Sequence, residues 1–163
     1  MTIQIKINND IKKAMKARNT DQLAALRAAK SAIMLEATKD GISSVSDDVV
    51  LNIISKLVKQ RNDSAHIYNE QGRKDLAQDE LNQINYLIPY LPKQLKEEEI
   101  RVLVQEAIIE LKADSLSDIG RCMSYLTNKL KGRADGKIIS SIVRNELNNI
   151  RIYVFKQPGK NYF

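Results

Sequence analysis

Apolar residues recur at three- and four-residue steps along most of the chain, which is the spacing of one face of an α-helix. In the first half, the stretches with this spacing end at polar residues, Gly or Pro: near Asn19, at Lys39-Asp40-Gly41, at Gly72 and at Pro89. Amphipathic helices with short connections pack as antiparallel neighbours. The pattern therefore predicts an N-terminal bundle of about four helices over residues 1–92.

Starts and buried faces of these helices follow from the same pattern. Asp10 lies near the predicted start of the first helix, and Asp21 opens the second. Ser46-Asp47-Asp48 starts the third, where the acidic side chains interact favourably with the helix dipole. The predicted core positions are, helix by helix, Ile7, Ile11, Ala14 and Met15; Leu23, Leu26, Ala29 and Ile33; Val50, Ile53, Ile54, Leu57, Ala65 and Tyr68; and Ala77, Leu81, Ile84, Ile88 and Leu91.

Pro89 and Pro92 mark the predicted domain boundary. Proline lacks an amide hydrogen and moves the preceding residue out of helical geometry, so the chain leaves the bundle there. A small three-helix domain is predicted over residues 93–149, with Ser115 or Ser117 capping its second helix and Asp135 its third. Its core positions are Ile100, Leu103, Val104, Ala107, Ile108 and Leu111; Ile119, Met123, Leu126 and Leu130; and Ile139, Ile142, Val143 and Leu147. The predicted fold class is all-α.

Residues 150–163 form a separate aromatic tail. They contain four of the chain's eight Tyr and Phe residues, alternate with period two over 152–155, and then reach a Pro-Gly turn. A short strand, a flap on the bundle and an association arm all fit this pattern, and an arm would allow oligomerisation through the tail.

Composition excludes several classes of protein. Six Gly, three Pro and an aromatic content of 5% provide few turns and few strand residues for a β-sandwich or barrel. One Cys and one His exclude an internal disulfide and a His/Cys metal cluster within one chain. Residues 1–16 show neither a secretory-signal pattern nor a transit-peptide pattern, and no apolar stretch approaches the ~18 residues of a membrane span. These features predict a cytoplasmic protein with no metal, no cofactor and no membrane partner.

Positive charge is concentrated in the second half of the chain. Residues 1–92 carry a net charge of +2 and residues 93–163 a net charge of +4. Between residues 121 and 144 there are six bases and one acid, Asp135, and such a field attracts phosphate backbones or acidic protein surfaces. A solvated, solubilising helix face is the alternative interpretation. The predicted RNA-binding residues are Arg121, Lys129, Lys131, Arg133, Lys137 and Arg144.

No pattern supports catalysis in this chain. Asp63 and His66 are three residues apart on a predicted helix and can touch, but no oxyanion-hole turn accompanies them. The segment from Gly132 to Lys137 has three residues between its glycines and Ile after the Lys, so it lacks the spacing of a nucleotide-binding loop. Cys122 lies beside an apolar stripe, which favours a packed, inert thiol.

Several segments resemble the YqeY-like family. They are Lys59-Gln-Arg-Asn-Asp-Ser64 with Tyr68, Glu70-Gln-Gly-Arg-Lys-Asp-Leu-Ala77, Tyr90-Leu-Pro-Lys-Gln-Leu95, Asp118-Ile-Gly-Arg121 with Met123, and Lys129-Leu-Lys-Gly-Arg-Ala-Asp-Gly-Lys137. The resemblance covers about residues 1–149. It departs from the family pattern at Lys96, where relatives usually have a capping Ser or Thr, and in the tail beyond Asn149.

The family shares its helical domain with the tail of the B subunit of the glutamyl/aspartyl-tRNA amidotransferase, where that tail contacts tRNA. The resemblance thus implies a non-catalytic accessory protein that binds tRNA or another structured RNA. Two alternatives are a helical protein-interaction module and an accessory of a glutamine-dependent amidotransferase, a carbon–nitrogen ligase, acting with amidotransferase subunits as catalytic partners. Nothing in the chain corresponds to the catalytic body of that enzyme, so any ligase label would come from the shared domain alone.

Overall fold

The structure, a computed structural model, describes the backbone of residues 1–156 and the side chains of residues 1–150. The chain divides into two compact units, one ending at Pro92 and the other beginning at Lys93. The first unit contains helices α1 (Ile3–Lys16), α2 (Thr20–Lys39), α3 (Asp47–Glu70) and α4 (Lys74–Leu87), and the second contains α5 (Glu97–Glu110), α6 (Ile119–Lys129) and α7 (Gly136–Lys156). Short 3-10 turns cover Ile88–Tyr90 and Leu116–Asp118. The described residues contain no strand, which confirms the all-α prediction.

Side-chain caps explain where the first three helices begin. Thr2, Asn19 and Ser46 each accept a hydrogen bond from a backbone amide in the first turn of α1, α2 and α3 respectively. The Ser46 start was predicted, whereas the first helix begins well before Asp10, and Asp21 lies inside the first turn of α2. Asn and Asp are both favoured as the cap of a helix, and at the start of α2 the cap is Asn19, whose backbone is extended.

The core of the first unit lies between one face of each of its helices. Its largest fully buried side chains include Ile7, Leu26, Ile33, Ile54 and Leu87. Three predicted core positions are wrong: Met15 is 53% exposed, Leu81 is 37% exposed, and Ile88 lies in the 3-10 turn at 37% exposure. In α4 the buried face passes through Ala77, Ile84 and Leu87, which shifts it from the face predicted through Leu81 and Ile88.

The core of the second unit follows its predicted stripes closely. Ile100, Val104 and Ile108 of α5 pack with Leu126 and Leu130 and with four residues of α7. Those four are Ile139, Ile142, Val143 and Leu147. Regular apolar spacing in three short helices leaves one way to bury all the stripes at once, which is a three-helix core.

Helix α7 continues further than the sequence pattern predicts. Its backbone is helical through Lys156, so residues 150–156 do not form the short strand considered for this segment. No Gly or Pro occurs between Gly136 and Pro158, and extending an existing helix is far easier than starting one. Four alternating residues are too few to override that tendency. The rest of the predicted aromatic tail, residues 157–163, lies outside the described residues.

Among the described helices, none combines the length and the apolar character that crossing a bilayer requires.

Candidate nucleic-acid interface

Four of the six predicted RNA-binding residues lie within one short stretch between α6 and α7. We call residues 129–137 the cationic turn. Lys129 is the last residue of α6, Lys131 and Arg133 lie on either side of Gly132, and Lys137 is in the first turn of α7. Gly132 has φ of 74°, a left-handed conformation that glycine adopts without steric cost and that reverses the chain here. Lys129, Lys131 and Lys137 are exposed to solvent.

The cationic turn is held by the segment through which the chain enters the second unit. The Gln94 side-chain amide donates a hydrogen bond to the Gly132 carbonyl at 2.7 Å, and the Leu95 amide donates to the Arg133 carbonyl at 2.9 Å. The Arg133 guanidinium in turn donates to the Lys93 carbonyl at 3.4 Å. These bonds join two motifs that lie about forty residues apart, and they hold the backbone of the turn in place.

Asp135 shapes the end of the turn. Its carboxylate accepts a hydrogen bond from the Lys137 amide at 2.9 Å, which confirms it as the cap of α7. A helix start can bind an anion through free amide hydrogens, but here a carboxylate already occupies one of them. The cations of the turn are therefore the groups that can attract phosphate. The turn also differs from a nucleotide-binding loop, because helix α6 precedes it where such a loop would follow a strand.

Lys129 lies next to the aromatic side chain in this region. Its ammonium group is 5.5 Å from the centroid of the Tyr125 ring, within the range of a cation–π interaction. The Tyr125 hydroxyl donates a hydrogen bond to the Glu110 carboxylate, and this bond raises the pKa of the hydroxyl. Lys129 is therefore held over the ring while its charge stays accessible to solvent.

Arg121 differs from the other predicted residues because a carboxylate neutralises it. Its guanidinium lies 2.7 Å from an Asp118 carboxylate oxygen and also donates to the Leu111 carbonyl at 3.2 Å. Asp118 further accepts hydrogen bonds from the Asp114 and Ser115 amides. The Asp114 amide and the Arg121 side chain are the main reasons why the pKa of the Asp118 carboxyl falls to about 2. Arg121 thus stabilises the segment that precedes α6, and its charge is less available to a ligand than the charges of the cationic turn.

Arg144 lies further along α7, seven residues after Lys137. Seven residues are close to two helical turns, so the two side chains lie on the same face of α7, about 10 Å apart along its axis. Arg144 is exposed and has no ion pair within the part of the chain that the structure describes. It can therefore extend the positive surface of the cationic turn along α7.

Other candidates for chemistry have ordinary structural surroundings. The exposed His66 side chain lies 3.2 Å from Glu70, one helical turn later on α3. Cys122 is fully buried in the core of the second unit, and burial raises the pKa of its thiol. Within residues 1–150, no group of three His, Cys, Asp or Glu side chains is placed to hold a metal ion.

Sequence reasoning missed the contribution of residues 93–95. The pattern Tyr90-Leu-Pro-Lys-Gln-Leu95 supports the family resemblance, but nothing in its spacing indicates which part of the chain these residues contact. The sequence signal for this contact is the polar Gln94 beside the apolar Leu95, because a half-buried amide needs a hydrogen-bond partner.

Relatives of this chain are named as mitochondrial proteins. It is 28% identical over 143 residues to "Altered inheritance of mitochondria protein 41, mitochondrial" of Pyrenophora tritici-repentis, covering 85% of this chain and 77% of that protein. The protein of the same name from Clavispora lusitaniae is 28% identical over 139 residues, covering 82% and 81% of the two chains. The one from Kluyveromyces lactis is 28% identical over 109 residues, covering 65% and 58%.

These names contradict the predicted cytoplasmic localisation, which is wrong on this comparison. The prediction depended on the single cysteine, which does not distinguish the cytoplasm from another reducing compartment, and on the interpretation of residues 1–16 as neither a secretory signal nor a transit peptide.

A family model described as "Yqey-like protein" matches residues 4–147, which cover most of both units and every residue of the cationic turn. The resemblance carried by the motifs at residues 59–77, 90–95 and 118–137 is thereby confirmed. The chain belongs to the YqeY-like family.

Proposed function

We propose that this protein binds structured RNA, with tRNA as the first candidate, and that it does so as an accessory protein without catalysis of its own. The single observation that supports this most is the cationic turn, in which exposed lysines project from a backbone held by residues 93–95. Lysine and arginine displace counterions from phosphates, which provides affinity that depends little on base sequence.

The composition of the surface favours recognition of RNA shape. Tyr125 is the one aromatic residue between residues 121 and 144, and its ring face is already covered by Lys129. Base stacking on aromatic side chains therefore contributes little here, and contacts to phosphates and ribose remain. A folded RNA with closely spaced backbones offers more phosphates to one compact surface than an extended strand does. The likeness to the tRNA-contacting tail domain makes tRNA the candidate within that class.

Holding the turn in place lowers the cost of binding. Ordering a flexible, charged side chain or loop at an interface costs free energy, and a backbone that is already fixed avoids part of this cost. The hydrogen bonds from Gln94 and Leu95 restrict the backbone around Gly132 and Arg133 before any ligand arrives.

The test compares the protein with a variant in which Lys129, Lys131 and Lys137 are changed to Glu. Arg133 is left unchanged because its guanidinium donates to the Lys93 carbonyl. We expect the binding of labelled, unfractionated tRNA to be lost in fluorescence anisotropy, while the helical circular dichroism signal persists. In the unchanged protein, the logarithm of affinity should fall by roughly 0.7 to 0.9 per phosphate contact for each tenfold rise in salt.

A matched control changes Lys56, Lys59 and Lys74 to Glu, three exposed lysines on α3 and α4 of the first unit. It alters net charge by the same amount at a different place. If the turn variant binds tRNA with the same affinity as the unchanged protein, the proposal is overturned. If the turn and control variants lose equal affinity, the binding is a nonspecific effect of net charge.

A further inference from the structure

The corner between α1 and α2 carries a second group of exposed cations. Lys12, Lys13, Lys16 and Arg18 occur within seven residues that contain no acid, and all four are exposed. Residues 1–39 as a whole hold eight bases and three acids, whereas residues 40–92 hold five bases and eight acids. The small net charge of the first unit therefore conceals a strongly basic helix pair.

The lysines of α1 share one face of the helix. Lys12 and Lys13 lie four and three residues before Lys16, which makes them neighbours on a helix surface. The opposite face carries Ile7, Ile11 and Ala14, all buried. Of the four cations, Lys13 is the one with a carboxylate nearby, at 3.7 Å from Asp10, and Asp10 also accepts a hydrogen bond from Tyr90. Lys12, Lys16 and Arg18 form no ion pair with the side chains that the structure describes.

Arg18 occupies a backbone conformation that glycine would adopt at lower cost. Its φ is 52°, and it follows α1 in a motif in which its amide donates to the Met15 carbonyl and the next amide donates to the Ala14 carbonyl. The same pair of bonds ends α2, α3 and α5, where the left-handed residue is Gly41, Gly72 and Lys112. A side chain at this position is disfavoured because its Cβ crowds the following carbonyl. Arg18, like Lys112, is thus a cation at a position where glycine would be more stable.

The corner itself is rigidly held. The Asn19 side chain accepts a hydrogen bond from the Gln22 amide at 3.1 Å and donates one to the Tyr86 hydroxyl of α4 at 3.0 Å. Both bonds are partly buried, so the connection between α1 and α2 is attached to the body of the first unit. Cations on such a support need little ordering when a ligand binds.

We propose that this corner is a second phosphate-binding surface, and that its ligand is the sugar-phosphate backbone of RNA. This inference takes its class of ligand from the proposed function. An anionic membrane fits less well, because an interfacial helix inserts its apolar face, and the apolar face of α1 is buried in the bundle. Phosphates on a folded RNA need only the exposed charges.

The first test uses the full chain with Lys12, Lys13 and Lys16 changed to Gln, and unfractionated tRNA as the probe. The affinity should fall by at least about tenfold at about 100 mM salt, and the salt slope should become shallower by roughly 0.7 to 0.9 for each lost contact. The control, in which Lys56, Lys59 and Lys74 become Gln, should bind as the unchanged protein does. If the corner and control variants bind equally well, the proposal is overturned.

The second test separates the charge of Arg18 from its backbone conformation. Arg18→Gly and Lys112→Gly each remove one cation and each relieve a left-handed residue at a helix end. Both should raise the melting temperature, but only Arg18→Gly should weaken tRNA binding, by about fivefold for one phosphate contact. Equal weakening in both variants would contradict a specific role of the corner.

Two further outcomes separate this inference from the proposed function. Loss of binding in the corner variant with none in the Lys129/Lys131/Lys137 variant would support this surface and remove the cationic turn. Normal tRNA binding by the corner variant, together with lost sedimentation on phosphatidylcholine–phosphatidylglycerol vesicles, would assign the corner to lipid and overturn the RNA proposal.

Discussion

Asp118 illustrates how a single carboxylate decides the role of a neighbouring cation. Arg121 and Lys131 belong to the same basic segment and are both exposed, yet Arg121 is paired with Asp118 whereas Lys131 has no ion pair within residues 1–150. A count of charges along the sequence weights the two residues equally. Asp118 lies just before the basic segment, and its spacing of three residues from Arg121 makes such a pair expected on a helix.

Stability should respond to the protonation of Asp118. Its pKa is lowered in the folded state from 3.8 to about 2, so the unfolded chain binds this proton more readily. The stabilisation is complete above the unfolded pKa and is lost as pH falls from about 4 towards 2. We expect the melting temperature of Asp118→Asn to lie below that of the unchanged protein at pH 6 and to approach it near pH 2.

Asp114→Asn serves as the control for this pH series, since the Asp114 backbone amide, and not its carboxylate, bonds to Asp118. A difference between Asp118→Asn and the unchanged protein that stays constant across the pH range would contradict the assigned pKa.

At the scale of elements, apolar spacing was sufficient to predict all seven helices of residues 1–156 and most of their buried faces. Regular stripes such as Ile139, Ile142, Val143 and Leu147 can be buried in one way only. In α4 the apolar residues define two possible buried faces, one through Leu87 and one through Ile88. The face through Leu87 is buried because the 3-10 turn at Pro89 begins directly after Leu87. The exposure of Met15 likewise depends on how α1 is rotated against its neighbours, which one helix does not reveal.

Helix α5 should gain stability from a better cap. Lys96 has the extended backbone of a cap, and its amide donates to the Glu99 carboxylate at 2.8 Å, but its side chain offers no acceptor to the first turn. Lys96→Ser would supply that acceptor and complete the reciprocal pair of bonds. We expect a gain of about 1 kcal/mol in the free energy of unfolding, measured by urea denaturation.

Lys96→Ala is the matched control, because it removes the same charge and provides no acceptor. If Ser and Ala raise the denaturation midpoint equally, the gain comes from the removed lysine and not from capping.

At the scale of the whole molecule, the candidate interface depends on contacts between distant parts of the chain. Charge along the sequence was sufficient to find the lysines between residues 129 and 137. Charge did not indicate that residues 93–95 hold the turn, because hydrogen bonds between segments about forty residues apart leave no periodic signal. Averaging over residues 1–92 similarly concealed the corner at residues 12–18, which a shorter window would have revealed.

Gln94 provides the last prediction, which separates the position of the cations from their number. Gln94→Ala leaves the Gly132 carbonyl without its 2.7 Å donor in a half-buried site, at a cost of about 1–3 kcal/mol in stability. The cations remain, so the salt slope of tRNA binding should stay within error of the unchanged protein. The affinity itself should fall severalfold, because the loosened turn must be ordered on binding.

Gln78→Ala is the control, since Gln78 donates a comparable 2.8 Å hydrogen bond to Asn82 on the exposed surface of α4. It should change neither affinity nor slope. Unaltered affinity in Gln94→Ala, with the expected loss of stability, would mean that the turn binds RNA equally well without a fixed backbone. A slope reduced together with affinity would mean that Gln94 controls how many lysines reach phosphate, so the two measurements distinguish a pre-ordered surface from a flexible group of charges.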